Sequence, residues 1–337
     1  MRRWQLWIGL IVSLFFLVWA FQQVNSFGEV MAALSRANYL LIVPALVVYF
    51  VGVWVRAERW KYLLAPLKGV PAARLFPVMV MGYMANDVLP VRMGEVVRAY
   101  LIGRQEQISG SAGLATIFVE RILDGVTLLF FAVVVSLFVP LGDGLQNIVR
   151  ASSVVFALAI VAFIAVAFSP RLGESLISLM LKIAPRSVRP GLAEVATSFI
   201  DGLKVIQNGG LLLKIFALSA LAWLCEAGVY YLVAYGFALG QPFYVLLLTV
   251  VVANLGTMVP SSPGYIGTFE ALGVFTLGLF KVSPDLAMSY VLVLHVALLV
   301  PVTLLGFFYL WQQQLSLSAI GRAPAAETAS LRKENSV

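Results

Sequence analysis

The amino-acid sequence predicts an all-α polytopic membrane protein, with about six full transmembrane helices and two re-entrant helical hairpins in an inverted repeat. Three observations support this fold class. The 337-residue chain is 61% hydrophobic and 12% charged, whereas soluble domains contain about 25% charged residues. Several apolar runs reach the roughly 20 residues that a spanning helix needs. Two shorter runs are interrupted by proline, glycine and polar residues.

The apolar runs predict the helices in chain order. They cover residues 4–24, 38–55, 75–91, 112–140, 148–168, 211–239, 243–259, 264–280 and 286–311. The first run follows two arginines, but it is too long for a signal peptide and no small-residue cleavage site follows it. We therefore expect a first transmembrane helix that is retained.

The distribution of lysine and arginine predicts the orientation of these helices. The N-terminus, the stretches 56–74 and 169–214 and the C-terminal tail are basic, which places them in the cytoplasm. The connections 25–37, 141–147 and 281–285 carry at most one basic residue each. We therefore expect a multi-pass protein of the inner (plasma) membrane with both termini in the cytoplasm.

On this topology, residues 75–104 leave the cytoplasm and return to it, while residues 243–280 enter from outside and return outside. A helix, a re-entrant element and a second helix thus occur twice, in units of about 38–140 and 211–311. The alternative is that each interrupted stretch holds two ordinary short spans.

The remaining segments complete the predicted organisation. Residues 1–311 form a single transmembrane domain. Within it, residues 171–208 have apolar residues at roughly helical spacing, which predicts a cytoplasmic interfacial segment; a solvated loop packed on the bundle is the alternative. Residues 312–337 read as a disordered tail.

The first interrupted stretch has Pro90 and Gly94 after an apolar run, and these residues break a helix. Broken helix ends are tolerated in a membrane only where protein or a water-filled cavity satisfies the backbone. We expect that the polar residues of this stretch line such a cavity. Glu95 and Arg98 can pair at i,i+3 spacing, which leaves Arg92 to hold a phosphate. The polar residues are Asn86, Asp87, Arg92, Glu95 and Arg98.

Three charges interrupt the long run 112–140. Glu120 and Asp124 share one helix face and Arg121 points about 100° away from Glu120. Charges in the bilayer are costly unless paired, so we expect pairing with the Arg92–Arg98 element. Because two buried carboxylates on one helix face share a proton readily, we expect that Glu120 or Asp124 can be protonated. The alternative is an ion network with a purely structural role.

The second interrupted stretch is rich in turn formers and hydroxyl groups. Backbone N–H groups at the start of its second helix can hold an anion, and Glu270 can pair with an arginine of the first stretch. Glu226 is a weaker candidate for binding and His295 for proton relay. We interpret Glu226 as a hydrogen-bonded carboxylate and His295 as a histidine at a helix interface. The candidate binding residues here are Asn254, Ser261, Ser262, Tyr265 and Glu270.

The sequence lacks the motifs that indicate an enzyme, a metal site or a nucleic-acid-binding protein. A lone Cys225 and a lone histidine provide no recognisable metal site, and no catalytic, nucleotide-binding or nucleic-acid motif occurs. We therefore expect no enzymatic activity, no cofactor, no metal and no nucleic-acid partner.

Three blocks of the sequence resemble the flippase-like membrane family that includes the transmembrane flippase part of lysylphosphatidylglycerol synthases. The blocks are NDVLPVRMGEVVRAYLIGR, ATIFVERILDG and PSSPGYIGTFEA. The matching positions are Asn86, Pro90, Arg92, Gly94, Glu95 and Arg98, then Glu120, Arg121 and Asp124, then Pro260, Pro263, Gly264, Gly267 and Glu270. The chain ends at Val337 without an aminoacyl-transferase domain, so we expect no lysyl transfer.

The resemblance and the charged residues together predict a lipid flippase. Its substrate is expected to be a phospholipid or a polyprenyl-phosphate-linked lipid, whose phosphate Arg92, Arg98 and Arg121 would hold. Two alternatives are a non-transporting membrane partner of a lipid- or glycan-synthesis enzyme and a small-anion transporter.

Overall fold

The computed structural model describes residues 3–89, 93–138, 169–183, 209–257 and 261–316, with single positions at 154, 158, 161, 165, 189 and 193. This part of the chain is helical and contains no β-strand, so the all-α prediction is confirmed. The helices are α1 (Arg3–Gln22), α2 (Phe27–Arg36), α3 (Ile42–Leu64), α4 (Ala72–Val88), α5 (Gly94–Glu106), α6 (Gly110–Ser136), α7 (Pro170–Ile183), α8 (Gly209–Gly236), α9 (Phe243–Gly256), α10 (Thr268–Leu279) and α11 (Pro284–Gln312).

Several helices are long and apolar enough to cross a membrane. By length and composition, the described part has three such helices, which are Tyr39–Leu64, α8 and α11. The pair α1 and α2 is bent by 89° and would make a fourth if it were one span. α6 has 27 residues but carries three charges near its middle. The chain is therefore a multi-pass α-helical membrane protein, and the predicted span 148–168 falls largely outside the described residues.

Two segments predicted as connections are helical instead. Residues 27–36 form α2, because Ser26 accepts a hydrogen bond from the Glu29 N–H at 3.3 Å and caps the helix. α3 continues past residue 55 to Leu64, which places Arg56 and Arg59 inside a helix and not in a cytoplasmic loop. Both arginines are buried. The apolar run 38–55 therefore underestimates the length of α3, because the two arginines that follow it have carboxylate partners within the protein.

The two interrupted stretches form pairs of short helices. α4 and α5 have 17 and 13 residues, and α9 and α10 have 14 and 12. At about 1.5 Å per residue these helices are roughly 18–26 Å long, shorter than the hydrocarbon core of about 30 Å. Such lengths suit re-entrant hairpins.

Gly94, at the start of α5, lies where the two helices of the first hairpin come closest together. Asn86 Oδ1 accepts a hydrogen bond from the Gly94 N–H at 2.7 Å. A Cβ atom at Gly94 would collide with the main-chain oxygen of Gly82 and with the Asn86 side chain. The absence of a side chain at Gly94 therefore allows the two helices to approach closely.

Helix packing repeats between α3–α6 and α8–α11. α3 packs along α8, which begins the second unit. The second helix of each hairpin packs on the last helix of its own unit, which pairs α5 with α6 and α10 with α11. The first helix of each hairpin packs on the last helix of the other unit, which pairs α4 with α11 and α9 with α6. The membrane orientation of the units and the exact domain limits stay predictions.

The cytoplasmic segment and the tail are only partly described. α7 covers Pro170–Ile183, at the start of the predicted interfacial segment 171–208. The rest of that segment, apart from positions 189 and 193, lies outside the described residues, as do residues 317–337 of the predicted tail.

Candidate functional site

A cavity of about 490 Å³ lies at the junction of the two repeated units. Helices of both units line it, including both hairpins. Its polar lining consists of Tyr49, Arg56, Tyr83, Asn86, Asp87, Glu95, Arg121, Asp124, Glu226, Asn254, Thr257, Tyr265 and His295. Charged groups inside a membrane protein are costly and are therefore candidates for function.

One wall of the cavity is backed by ionic contacts that centre on Glu120. Arg98 donates to both carboxylate oxygens of Glu120, at 2.8 and 2.9 Å. Arg121 donates to Glu120 Oε1 at 2.7 Å. Trp60 packs its ring under the Arg98 guanidinium, with the ring centroid 4.2 Å from Cζ. α5, α6 and α3 are thereby joined around one buried carboxylate.

Asp124 lies one turn further along α6 and joins a third arginine. Arg59 donates to Asp124 Oδ1 at 2.5 Å and to Ser219 Oγ at 2.8 Å. The Trp223 indole N–H also donates to Asp124 Oδ1, at 3.2 Å. Arg59 is completely buried, and these contacts attach α3 and α8 to α6.

We call Arg59, Arg98, Glu120, Arg121 and Asp124 the arginine–carboxylate network. Three guanidinium groups face two carboxylates, so its formal charge is +1. The side chains of Arg59 and Arg98 are enclosed, whereas that of Arg121 is 33% exposed. Arg121 and Asp124 both line the cavity, so the network presents one cation and one carboxylate there.

A second ion pair lies on another wall. Arg56 donates to Glu226 Oε2 at 2.6 Å, and Asn254 donates to Glu226 Oε1 at 3.0 Å. The Arg56 guanidinium lies 4.7 Å from the centre of the Trp223 ring. α3, α8 and α9 therefore meet at Glu226, which the sequence had ranked as a weaker candidate.

Asp87 connects the first hairpin to the last helix of the other unit. Thr303 on α11 donates to Asp87 Oδ2 at 2.7 Å. Asp87 lies at the end of α4, and both its side chain and Asn86 reach the cavity.

Glu270 of the second hairpin contacts a histidine of α11, His295. Glu270 Oε1 lies 2.5 Å from His295 Nδ1. Its other oxygen accepts a hydrogen bond from the Gly267 N–H at 2.7 Å and so caps α10. Glu270 is buried. Arg98, the described arginine of the first stretch that could have paired with it, pairs with Glu120 instead, so a pair with Arg92 stays a prediction.

The predicted site residues occupy different positions in the structure. Six of them line the cavity, which are Asn86, Glu95, Arg121, Asp124, Asn254 and Tyr265. Arg98 and Glu120 lie behind its wall and pair with each other, so Arg98 is engaged by α6 and not by Glu95 as expected. Arg92 lies outside the described residues.

Ser261 and Ser262 are placed differently from the prediction. The Ser262 N–H donates to Ser13 Oγ at 2.7 Å, and the Ser261 main-chain oxygen lies against Gly9. These two serines therefore attach the second hairpin to α1 and do not line the described cavity.

The sequence reasoning missed Arg56 and Arg59. Their i,i+3 spacing places them on neighbouring positions of one helix face, and tryptophan residues precede and follow them in the sequence. That local signal could have marked them as buried residues. Among the described residues, no group of histidine, cysteine and carboxylate side chains could hold a metal ion.

The fold and the cavity define a multi-pass α-helical membrane protein that gathers charged side chains where two packed units meet. Residues 6–306 match the family described as the lysylphosphatidylglycerol synthase TM region. The chain therefore belongs to this family, as the three sequence blocks predict.

Curated relatives support this assignment. A UPF0104 membrane protein of Methanothermobacter thermautotrophicus is 24% identical, over 77% of this chain and 81% of the relative. A second one from that organism is 27% identical, over 84% and 86%. Glycosyltransferase AglD of Haloferax volcanii is 26% identical over 80% of this chain. The match covers 48% of AglD, so the chain spans about half the length of that relative.

Proposed function

We propose that this protein moves a phosphate-bearing lipid, a phospholipid or a polyprenyl-phosphate-linked lipid, between the leaflets of the membrane. The observation that carries the proposal is the charged cavity between the two units of a polytopic helical protein. A charged headgroup does not cross about 30 Å of hydrocarbon unaided, and a polar cavity at this position provides an alternative environment. The role involves transport and no catalytic step.

Arg121 is the residue assigned to the lipid phosphate. It combines exposure to the cavity with membership of a network whose formal charge is +1. A guanidinium group binds phosphate oxygens through a rigid set of N–H donors. Arg59 and Arg98 contact the same two carboxylates as Arg121. They compete with Arg121 for Glu120 and Asp124, so these carboxylates bind Arg121 less tightly and leave it able to bind a phosphate.

The two hairpins are the elements assigned to alternating access. Asn86 and Asp87 of the first hairpin and Tyr265 of the second line the same cavity. Movement of one unit relative to the other around a central site is a common transport mechanism for repeated folds. Lipid tails would stay in the bilayer while the headgroup passes through the cavity.

The test is lipid movement in proteoliposomes that contain the purified protein and a headgroup-labelled fluorescent phospholipid. We expect Arg121→Gln to reduce movement about tenfold or more, since a charged hydrogen bond contributes roughly 1.5–3 kcal/mol. Arg36→Gln is the matched control, because Arg36 is exposed at the end of α2 and does not line the cavity. Equal movement in the wild type and Arg121→Gln would contradict the assignment.

The similarity to AglD favours one further candidate, a membrane module that serves a glycan-synthesis enzyme without moving lipid itself. The same liposomes distinguish the two roles, because they contain no such enzyme. Lipid movement by the purified protein supports the flippase. Uptake of radiolabelled phosphate without lipid movement would instead indicate a small-anion transporter.

A further inference from the structure

The only histidine of the chain has a hydrogen-bond acceptor at each ring nitrogen. His295 Nε2 lies 2.8 Å from the main-chain oxygen of Gly264. His295 Nδ1 lies 2.5 Å from Glu270 Oε1. The ring also packs on Phe269, with centroids 4.4 Å apart. This arrangement restricts where protons can be located.

A neutral imidazole has one N–H donor and one acceptor nitrogen. The Gly264 carbonyl can only accept, so Nε2 must carry a proton. Nδ1 then either carries a second proton, which makes an imidazolium beside a carboxylate, or accepts one from a protonated Glu270. Both arrangements hold one proton more than a neutral histidine beside an ionised glutamate.

Loss of that proton would break one of the two contacts. If the neutral ring keeps its proton on Nε2, the Nδ1 lone pair faces the Glu270 carboxylate. If the proton moves to Nδ1, the Nε2 lone pair faces the Gly264 carbonyl. Two acceptors at hydrogen-bond distance repel each other, so either the ring separates from α10 or it separates from the turn at Gly264.

The turn that His295 holds has an unusual backbone. Gly264, Tyr265 and Gly267 have φ angles of 67°, 58° and 93°, in the left-handed region that L-residues other than glycine rarely adopt. Glu270 holds the other end of this turn through the Gly267 N–H. A proton shared by His295 and Glu270 therefore stabilises both ends of the segment Gly264–Gly267, which leads into α10.

The surroundings of the pair contain few charges in the described part of the chain. Asp87 of α4 lines the same cavity as His295. α8 contributes Tyr230, whose ring packs against Phe269 with centroids 6.2 Å apart. α11 contributes Thr303, which donates to Asp87, and α1 contributes Ser13, which accepts from the Ser262 N–H at the turn.

Building on the transport role proposed above, we propose that His295 and Glu270 form a proton-binding site whose occupancy controls the turn 261–267 and hence the second hairpin. His295 and Tyr265 line the cavity, so a proton can leave to water there. The network pair Glu120 and Asp124 is less suited to this task. Protonation of either carboxylate would raise the formal charge of the network from +1 to +2.

The proton can be observed directly because the chain has one histidine. Protein labelled with ¹⁵N-histidine, purified without a histidine tag, gives nitrogen signals from His295 alone. We expect the wild-type signals to change in one step as the pH rises from about 5 to 9. In Glu270→Gln, whose amide can donate to Nδ1, the response should be lost or moved by about one pH unit or more. An unchanging wild-type ring, or an identical response in the variant, overturns the proposal.

Control of the turn is tested by thiol labelling in a Cys225→Ala background. The reporter is Ser261→Cys and the control is Ser35→Cys, which is exposed on α2. The labelling rate at position 261 is divided by the rate at position 35, which corrects for the pH dependence of the thiol itself. With His295 and Glu270 unchanged, this ratio should rise by up to about tenfold per pH unit. With Glu270→Gln added, the corrected rate should be independent of pH. A flat wild-type profile contradicts the proposal.

These measurements are separate from lipid movement. If the liposomes show no transport while the histidine and the turn respond to pH, the proton site stands and the flippase role fails. If lipid moves while both readouts are flat, the flippase role stands and the proton site fails.

Discussion

Replacement of Glu120 by glutamine tests the charge balance of the arginine–carboxylate network. In the wild type, Glu120 accepts two hydrogen bonds from Arg98, at 2.8 and 2.9 Å, and one from Arg121 at 2.7 Å. Glu120→Gln leaves three guanidinium groups with only Asp124 and raises the formal charge from +1 to +2. Since breaking a buried ion pair costs about 3–5 kcal/mol, we expect a loss of that size in the free energy of unfolding.

The assay is unfolding in mixed micelles by increasing fractions of sodium dodecyl sulfate, followed by tryptophan fluorescence. The control is Glu58→Gln, which removes a partly exposed pair with Lys61 and should cost less than about 1 kcal/mol.

A double-mutant cycle separates charge from packing. Combining Glu120→Gln with Arg98→Gln restores the formal charge to +1. The double variant should therefore lose less unfolding free energy than the two single variants lose together, by about 0.5–3 kcal/mol. A cost for Glu120→Gln below about 1 kcal/mol, or strictly additive losses, would refute the reasoning.

Three other predictions address the hairpin, the topology and the N-terminal helices. Gly94→Ala should destabilise the protein strongly because its Cβ meets main-chain atoms, whereas Gly278→Ala, with open space around it, should be neutral or stabilising by up to about 1 kcal/mol; equal melting temperatures would contradict this. Single cysteines at Ala65 and Gln105 should both label from the cytoplasmic side in a cysteine-free background, and labelling from opposite faces would exclude the re-entrant first hairpin. Asp285→Ala removes the acceptor of two backbone N–H groups before α2, at 2.8 and 3.0 Å, and should cost about 1.5–3 kcal/mol in detergent unfolding; a smaller loss would show that α2 is held by other contacts.

The helical membrane fold could be predicted from the sequence because its causes are local. Apolar runs of sufficient length favour membrane helices, and the interruptions at Gly94 and Gly264 mark the two breaks between short helices. The charges of α6 could likewise be recognised as functional or structural candidates from their cost in a bilayer. The end of α3 was missed for a local reason too, because Arg56 and Arg59 end the apolar run although both lie inside the helix.

The sequence by itself determined that the chain is helical, lies in a membrane and gathers charges at two broken elements. Only the tertiary structure decided which charges meet. Arg59 and Asp124 are 65 residues apart in the chain, and His295 and Glu270 are 25 apart. Their pairing depends on the rotation of each helix about its axis and on the packing of one unit against the other. These quantities arise from contacts summed over the whole bundle, so no short stretch of sequence contains them.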